Sequence, residues 1–469
     1  MKGRFAMKEK KIGFFSVTCL AIGTIVGAGV FGTIPAAAGI VGTGIEWAYF
    51  IAFISILICY IPQMVTISVL PAPFTFYMHT TRLVHPTAGY MLVIFGFNYV
   101  FILSALAGVF AEYASVYIPV DHRILGVGAL LFFAFITTLG VQANAIAQNI
   151  MVVSLFSALF LYVFVGMPEI RQEFLSFGDI IKPENLTIVT LGSAVALLSA
   201  SLQGGVSIAF YPEKIKNPGK TIPRAFVWAT AICCFVFMLV SAVTIGVLPM
   251  EQVSSLLDVA KVVFSPGIYH FFILAGAIFS VLTSLNGIFI AGGNVGSATA
   301  DDKVMPMWFG RLNKHEVPKN TVWLLAGVSS VFVAFGFPIG TLLTAYSLLN
   351  LFCLLLLFIP ALKVHKLYPN SFRAASFQIP PTVTAVLSLL GVGICIWQLV
   401  STLITLDMKM IITIIIWYAV WYAFYFGRRY WLKNQGFDLN RQMRQPYPEW
   451  VEREKELSKI AEKKECKTK

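Results

Sequence analysis

Long apolar runs, separated by short polar or charged segments, follow one another from near the first residue to about residue 430. Nearly all reach 18 residues or more, enough to cross a hydrocarbon core of about 30 Å as a helix. None shows the alternation of a half-buried strand, and few show the one-sided stripe of a surface helix. The pattern predicts about twelve membrane-spanning helices, near 14–39, 45–70, 86–118, 123–140, 145–167, 187–211, 224–248, 269–298, 321–337, 340–362, 381–404 and 408–429. Gly42, Pro119, Pro168, Pro249 and Pro338 mark turns between them.

Composition sharpens this reading. Hydrophobic residues make up 58% of the 469 residues and charged ones 12%, against roughly 25% charged in a soluble domain. The net charge of +12 is carried by short loops and tails. Arg82, then Lys214, Lys216, Lys220 and Arg224, then Lys363, Lys366 and Arg373 alternate with neutral or acidic loops such as 168–186. Such alternation orients a membrane protein with both termini in the cytoplasm, and makes anionic lipid the expected partner rather than nucleic acid. The segment 14–39 is too long for the core of a signal peptide and is expected to remain as the first span of a multi-pass plasma-membrane protein. Six of the seven cysteines lie in apolar runs and none has metal-ligand spacing, so neither a disulfide nor a metal site is expected. Residues 428–469 mix Lys and Arg with Glu and read as a solvated tail, in which 449–464 has the composition of a short charged helix.

Two spans differ from the rest. Gly23, Gly27 and Gly29 fall inside the first, and Gly204 and Gly205 inside the sixth. Glycine costs about 1 kcal/mol in a helix interior relative to alanine, so both clusters are places where a helix is expected to unwind. Unwound backbone at membrane depth has to line a cavity or be buried in protein. It exposes amides at one half-helix end and carbonyls at the other, which suits a zwitterion. Close small-residue packing through Gly23-xxx-Gly27 explains the first cluster equally well by itself. Spans one and six, however, open two possible five-span repeats, the arrangement expected of a transporter site.

The residues around these clusters carry a resemblance. Gly23-Thr-Ile-Val-Gly-Ala-Gly-Val-Phe31, Lys214-Ile-Lys-Asn-Pro-Gly-Lys-Thr-Ile-Pro-Arg224, and Asn286 with Ala298-Thr-Ala-Asp-Asp-Lys-Val-Met-Pro306 are similar to motifs of the amino acid–polyamine–organocation transporters. The resemblance implies an all-α membrane fold of about twelve helices, a five-plus-five inverted repeat with helices one and six broken. It divides the chain into a segment 1–12, a ten-helix core 13–362, two further helices within 363–430 and a tail 431–469. It places the substrate carboxylate on the amides of Gly27, Ala28 and Gly29, and the ammonium on carbonyls near Thr24, Ile25 and Gln203. Ala200 and Gly204 would line the same site.

The chain departs from that pattern in ways that bear on selectivity. Many exchangers of the family carry a lysine seven residues after a glutamine in the fifth span; here Gln148 leads to Leu155. Thr283 and Ser284 offer adjacent hydroxyls to a coupling sodium ion, or simply hydrogen bonds between helices. The arginine/agmatine antiporters, which resemble this chain after the eighth span, also lack the lysine, so a coupling proton or exchange stays open beside sodium. Small Ala200 and Ser201 stand where relatives often have an aromatic gate, Val206 where many have an acid and Asn294 where arginine is common, which implies a roomier, uncharged pocket. Asn98, Ser104, Gln203, Asn286 and Asn350 are polar candidates for side-chain selection, with Ser104 counted in the site. Glu112 lies near the end of its span and Glu46 at a helix start, where its charge favours the helix dipole. The Trp417 and Trp421 cluster reads as an interface belt or subunit contact.

These features predict a secondary transporter of an amino acid, neutral in preference, or of a related amine. An amino acid sensor on the same fold and an exchanger of cationic amino acid for amine are the alternatives. The six histidines lie in loops or at span ends and no phosphate-binding loop is present, so an enzyme or an ATP-driven pump is not expected. No cofactor is expected, and the oligomeric state is not legible.

Overall fold

The computed structural model describes residues 11–175, 186–249, 252–405 and 408–468. They form an all-helical bundle, in which Ile12 and Ile215 make an isolated β-bridge. In chain order the helices are α1 (Phe14–Phe31), α2 (Thr33–Val41), α3 (Ile45–Val69), α4 (Thr75–Leu83), α5 (Pro86–Ala114) and α6 (His122–Thr137). Next come α7 (Val141–Gly166), α8 (Ile188–Leu202), α9 (Pro218–Val247), α10 (Leu256–Val263), α11 (Pro266–Asp301) and α12 (Lys319–Ala334). The last six are α13 (Ile339–Leu367), α14 (Pro369–Arg373), α15 (Pro381–Thr405), α16 (Met408–Asn434), α17 (Leu439–Arg444) and α18 (Pro448–Thr468). Among the described residues nine helical segments are long and apolar enough to cross a membrane, and Phe14–Val26, His122–Thr137 and Lys319–Ala334 are shorter apolar helices.

Local chemistry sets several boundaries. Asp121 caps α6, and Thr187 and Ser255 form capping boxes at α8 and α10. Proline begins α5, α9 and α11, where its missing amide costs nothing.

The first span is interrupted, but not where its glycines suggested. Helix α1 continues through Gly23, Gly27 and Gly29 to Phe31, and the interruption comes at Gly32. Pro35 accounts for the position. It has no amide to donate to the carbonyl four residues back, and its ring crowds that carbonyl. The residue four back is Phe31, whose carbonyl lies 3.5 Å from the Tyr113 hydroxyl of α5. In the sixth span the interruption falls at the expected place: α8 ends at Leu202, and Gln203–Phe210 follows as a 3₁₀ helix. Eight residues is long for that geometry, which is usually confined to three or four and often marks a hinge.

Helix α1 is central and packs against α9, α11 and the 3₁₀ segment. Helices α15 and α16 lie at the edge, with 28% and 11% of their apolar windows buried. Of the α16 residues that turn inward, Trp417 donates its indole N–H to Asn98 Oδ1 at 2.8 Å. Trp417 therefore ties the edge helix to α5 through Asn98 Oδ1, while the buried Asn98 Nδ2 has no hydrogen-bond partner among the described residues.

Ile12 and the last helix, α18, lie on one face, here called the terminal face. Ile12 exchanges backbone hydrogen bonds with Lys214 and Lys216, each 3.0 Å. The Arg82–Asp302 ion pair joins α4 to the end of α11 at 2.9 Å with both side chains almost fully buried, and Tyr77 donates to the same carboxylate at 2.7 Å. The expected solvated tail is docked here instead. Trp450 is 2% exposed, donates to the Pro71 carbonyl at 3.1 Å and stacks near His79 and Tyr368. Glu454 accepts from the amides of Asn370 and Ser371, capping α14. A few buried residues in a highly charged segment, Leu439, Met443 and Trp450, anchor it, a signal that average composition hides.

Candidate substrate site

Where α1, α5, α8, α11 and α13 converge on the 3₁₀ segment, they enclose a cavity of about 40 Å³, room for a few water molecules. Thr24 and Ile25 from α1, Ala200 and Ser201 from α8, Gln203 and Gly204 from the 3₁₀ turn, and Ser284 from α11 line it. Among the described residues no charged side chain does.

Backbone interruption and side-chain hydroxyls together give the cavity a polar wall. The Thr24 hydroxyl lies 2.9 Å from the Gly204 carbonyl and 2.8 Å from that of Ala21. Ser207 donates to Thr24 at 3.3 Å. Gln203 Oε1 accepts from the Tyr60 hydroxyl at 2.6 Å, which turns its amide in a defined direction. The buried Ser201 hydroxyl has no hydrogen-bond partner among the described residues. A buried hydroxyl left unpaired costs on the order of 1–3 kcal/mol, so a ligand that pairs with it is favoured.

The facing wall is apolar: Ile25, Ile102, Leu106, Val206 and Ile288. Six aromatic residues (Tyr60, Phe76, Phe95, Tyr99, Phe210 and Tyr346) close it further. The pocket is thus uncharged, as small Ala200, Ser201 and Val206 imply, but it is not roomy. Aromatic rings from four other segments occupy the volume those small residues leave. Nothing distinguishes these rings in sequence from the many that face lipid, and their convergence appears only in three dimensions.

The remaining predicted residues fall as follows. Thr283 and Ser284 both donate to the Gly23 carbonyl, at 3.2 and 2.6 Å, and so clasp α11 to α1. Gly27, Ala28 and Gly29 lie within helical α1, and the surroundings of their side chains are outside the described residues. Ser104 is not in this cavity. Its hydroxyl lies 2.6 Å from the Val100 carbonyl and 3.1 Å from that of Ser329 on α12, and it borders a different cavity. Asn294 donates to Ile290 within its own helix at 2.9 Å, and Glu46 accepts from Ser241 of α9 at 2.5 Å. Asn350 borders a small polar side cavity, which Ala200 and Gln203 also line.

The cavity is sealed unequally. Towards the terminal face lie the Phe76 and Phe210 rings, then the Tyr77–Asp302–Arg82 cluster. Towards the opposite face, Leu106 and Tyr346 line the cavity, while Val109 and Leu343 line an outer cavity of about 360 Å³. Each pair is three residues apart on one helix, so roughly one turn, about 5 Å, separates the two spaces.

Comparison with known proteins identifies the family. The amino acid permease family profile matches residues 12–420. The chain is 23% identical over 429 residues to the methylthioribose transporter of Bacillus subtilis, covering 84% of this chain and 88% of that one. It is 23% identical over 412 residues to the branched-chain amino acid permease BcaP of Bacillus subtilis, covering 79% and 84%. It is also 27% identical over 164 residues to the vacuolar cationic amino acid transporter 4 of Arabidopsis thaliana, covering 34% and 27%. These relatives are transporters rather than enzymes. The chain belongs to the amino acid permease family.

Proposed function

We propose that this amino acid permease is a secondary transporter of a neutral amino acid with an apolar side chain, working by alternating access about the central cavity. The observation that carries the proposal is the cavity lining: a polar wall at Thr24, Ser201, Gln203 and Gly204 faces an apolar one, with no charged side chain between them among the described residues. Hydroxyls and carbonyls suit the α-amino and carboxylate groups common to all amino acids. The apolar wall suits an uncharged side chain, since a cationic or anionic one would be buried there without a partner. BcaP, a branched-chain amino acid permease, is consistent with such a substrate; the methylthioribose transporter shows that relatives of this chain also carry other small molecules.

The wider architecture is proposed with it. Nine long segments and three shorter apolar helices, 9 + 3, make twelve crossings. The two interrupted spans open each half of a five-plus-five repeat. Basic loops on the terminal face put both termini in the cytoplasm of a plasma-membrane protein. The structure is then closed to the cytoplasm, with its thin barrier facing outwards.

Coupling divides into two readings. A sodium ion at Thr283 and Ser284 would take both hydroxyl oxygens and the Gly23 carbonyl as ligands, replacing the hydrogen bonds now made there. Proton coupling or exchange would leave the pair as a clasp between helices. Uptake of labelled leucine into proteoliposomes tests function and coupling together. Leucine accumulation, driven by an ion gradient or by leucine inside, is expected. Tight leucine binding without any flux would make the protein a sensor and overturn the transport proposal.

A further inference from the structure

Opposite the terminal face, two cavities lie side by side and share one carboxylate. The larger, about 390 Å³, is bounded by α5, α6, α12 and α13 and receives Glu112, His122 and Arg123. The other, about 360 Å³, receives Glu112 again, together with Phe31 and Gly32 at the interruption between α1 and α2.

Neither of the two opposite charges stands where its own helix favours it. Glu112 is in the last turn of α5 and Arg123 in the first turn of α6. The helix dipole prefers the reverse at both ends, by about 0.3–1 kcal/mol each. Asp121, which could offset Arg123, accepts the Arg123 backbone amide at 2.8 Å in capping the helix. Among the described residues the ion pair is Arg82–Asp302, and neither the Glu112 nor the Arg123 side chain makes a hydrogen bond or ion pair, although His122 is within electrostatic reach of Glu112. Both side chains are exposed, so each can meet a ligand, and one carrying both signs suits the pair.

We infer that the two cavities form an outer subsite for a zwitterionic amino acid, with Arg123 receiving the carboxylate and Glu112 the ammonium. The inference rests on the permease reading above. A guanidinium presents two parallel N–H donors to a carboxylate. Gly336 leaves room for it, since a Cβ there would lie 3.2 Å from Arg123 Nη2. Val333 and Leu342 give the larger cavity an apolar wall for the side chain. Because Glu112 borders both spaces, an ammonium held by it can pass from the larger cavity to the one above Phe31 without release.

The test combines equilibrium binding of labelled leucine to the purified chain with concentration-dependent uptake in proteoliposomes. Losing one partly exposed charged contact is expected to raise the half-saturating leucine concentration about fivefold in Glu112→Gln and in Arg123→Gln, with maximal uptake kept within about twofold. Arg123→Lys, which keeps the charge but not the fork, should fall between. Two leucine sites per chain in the wild type and one in either neutral variant would complete the support. Unchanged half-saturation in both variants, in protein that elutes as a folded species, overturns the subsite and leaves the permease reading standing. Neither binding nor uptake of leucine by the wild type would overturn both.

Discussion

Thr24 and Gly204 meet backbone against backbone: a Cβ built on Gly204 would lie 2.4 Å from the Thr24 carbonyl oxygen and 2.8 Å from its carbon. No flexible side chain is available to move aside. The two interrupted spans can approach this closely, and share the Thr24 hydroxyl bond, only because residue 204 is glycine. Gly204→Ala should therefore push the 3₁₀ turn away from α1 and lower leucine uptake at least tenfold, with the protein still inserted. Uptake per inserted molecule, against a surface-labelling control, reads this directly; wild-type uptake would mean that the contact is not part of the site.

Tyr60 sets the direction of the Gln203 amide through its 2.6 Å hydrogen bond. In Tyr60→Phe that amide oxygen loses its partner inside the protein. At about 1 kcal/mol for a buried neutral hydrogen bond, leucine should bind roughly fivefold more weakly. A binding isotherm on the two proteins decides it, and equal affinities would place Gln203 outside the recognition surface.

The Arg82–Asp302 pair is buried and also holds the Tyr77 hydroxyl. Removing one partner strands a charge and costs about 3–5 kcal/mol, whereas removing both together costs far less. Asp302→Asn should lower the thermal midpoint markedly, and Arg82→Met with Asp302→Leu should recover part of the loss. A double variant as unstable as the single one would show that the pair contributes through shape rather than charge.

His79 lies beneath Trp450 and hydrogen-bonds the Leu70 carbonyl through Nε2 at 2.7 Å. Burial pushes its pKa down to about 4, against a weaker upward pull from the Leu70 carbonyl. The unfolded chain binds this proton near pH 6.5 and the folded one only near pH 4. Stability from a neutral His79 is thus fully present above pH 6.5 and declines as the pH falls towards 4, by up to about 3 kcal/mol. Thermal midpoints between pH 7 and 4 should fall more steeply in the wild type than in His79→Gln. Parallel curves would remove His79 from the acid response.

Trp450 is the largest side chain that the tail buries. Trp450→Ala should expose the segment from 439 to 468 to limited proteolysis in intact vesicles while the helical core persists. A tail equally resistant in both proteins would show that Glu454 and its neighbours suffice.

Much of this architecture was legible in the sequence, because span length and apolar content are properties of the chain itself. The break at Gln203 was legible for the same reason: two adjacent glycines remove both side-chain packing and helix propensity. The first break was misplaced because glycine only permits an interruption, while Pro35 imposes one. Thr24, Ile25, Ala200, Gln203, Gly204 and Ser284 do converge on one cavity, whereas Ser104 spends its hydroxyl on carbonyls. Its polarity looked the same either way. Tyr60, Tyr99 and Tyr346 escaped notice because a rotation of about 100° per residue decides whether a ring faces substrate or lipid, and uniformly apolar helices do not reveal their facing.

The central claim is that an uncharged cavity at the junction of the two interrupted spans selects a neutral substrate. The measurement that tests it most directly is uptake of labelled leucine and labelled lysine, side by side in proteoliposomes, by the wild type and by Val206→Asp. A carboxylate placed on the cavity wall should give a buried cation a partner and a buried apolar side chain an unfavourable neighbour. The account predicts leucine over lysine in the wild type and the reverse in the variant. Leucine uptake by Val206→Asp at the wild-type rate, with lysine still excluded, would contradict it.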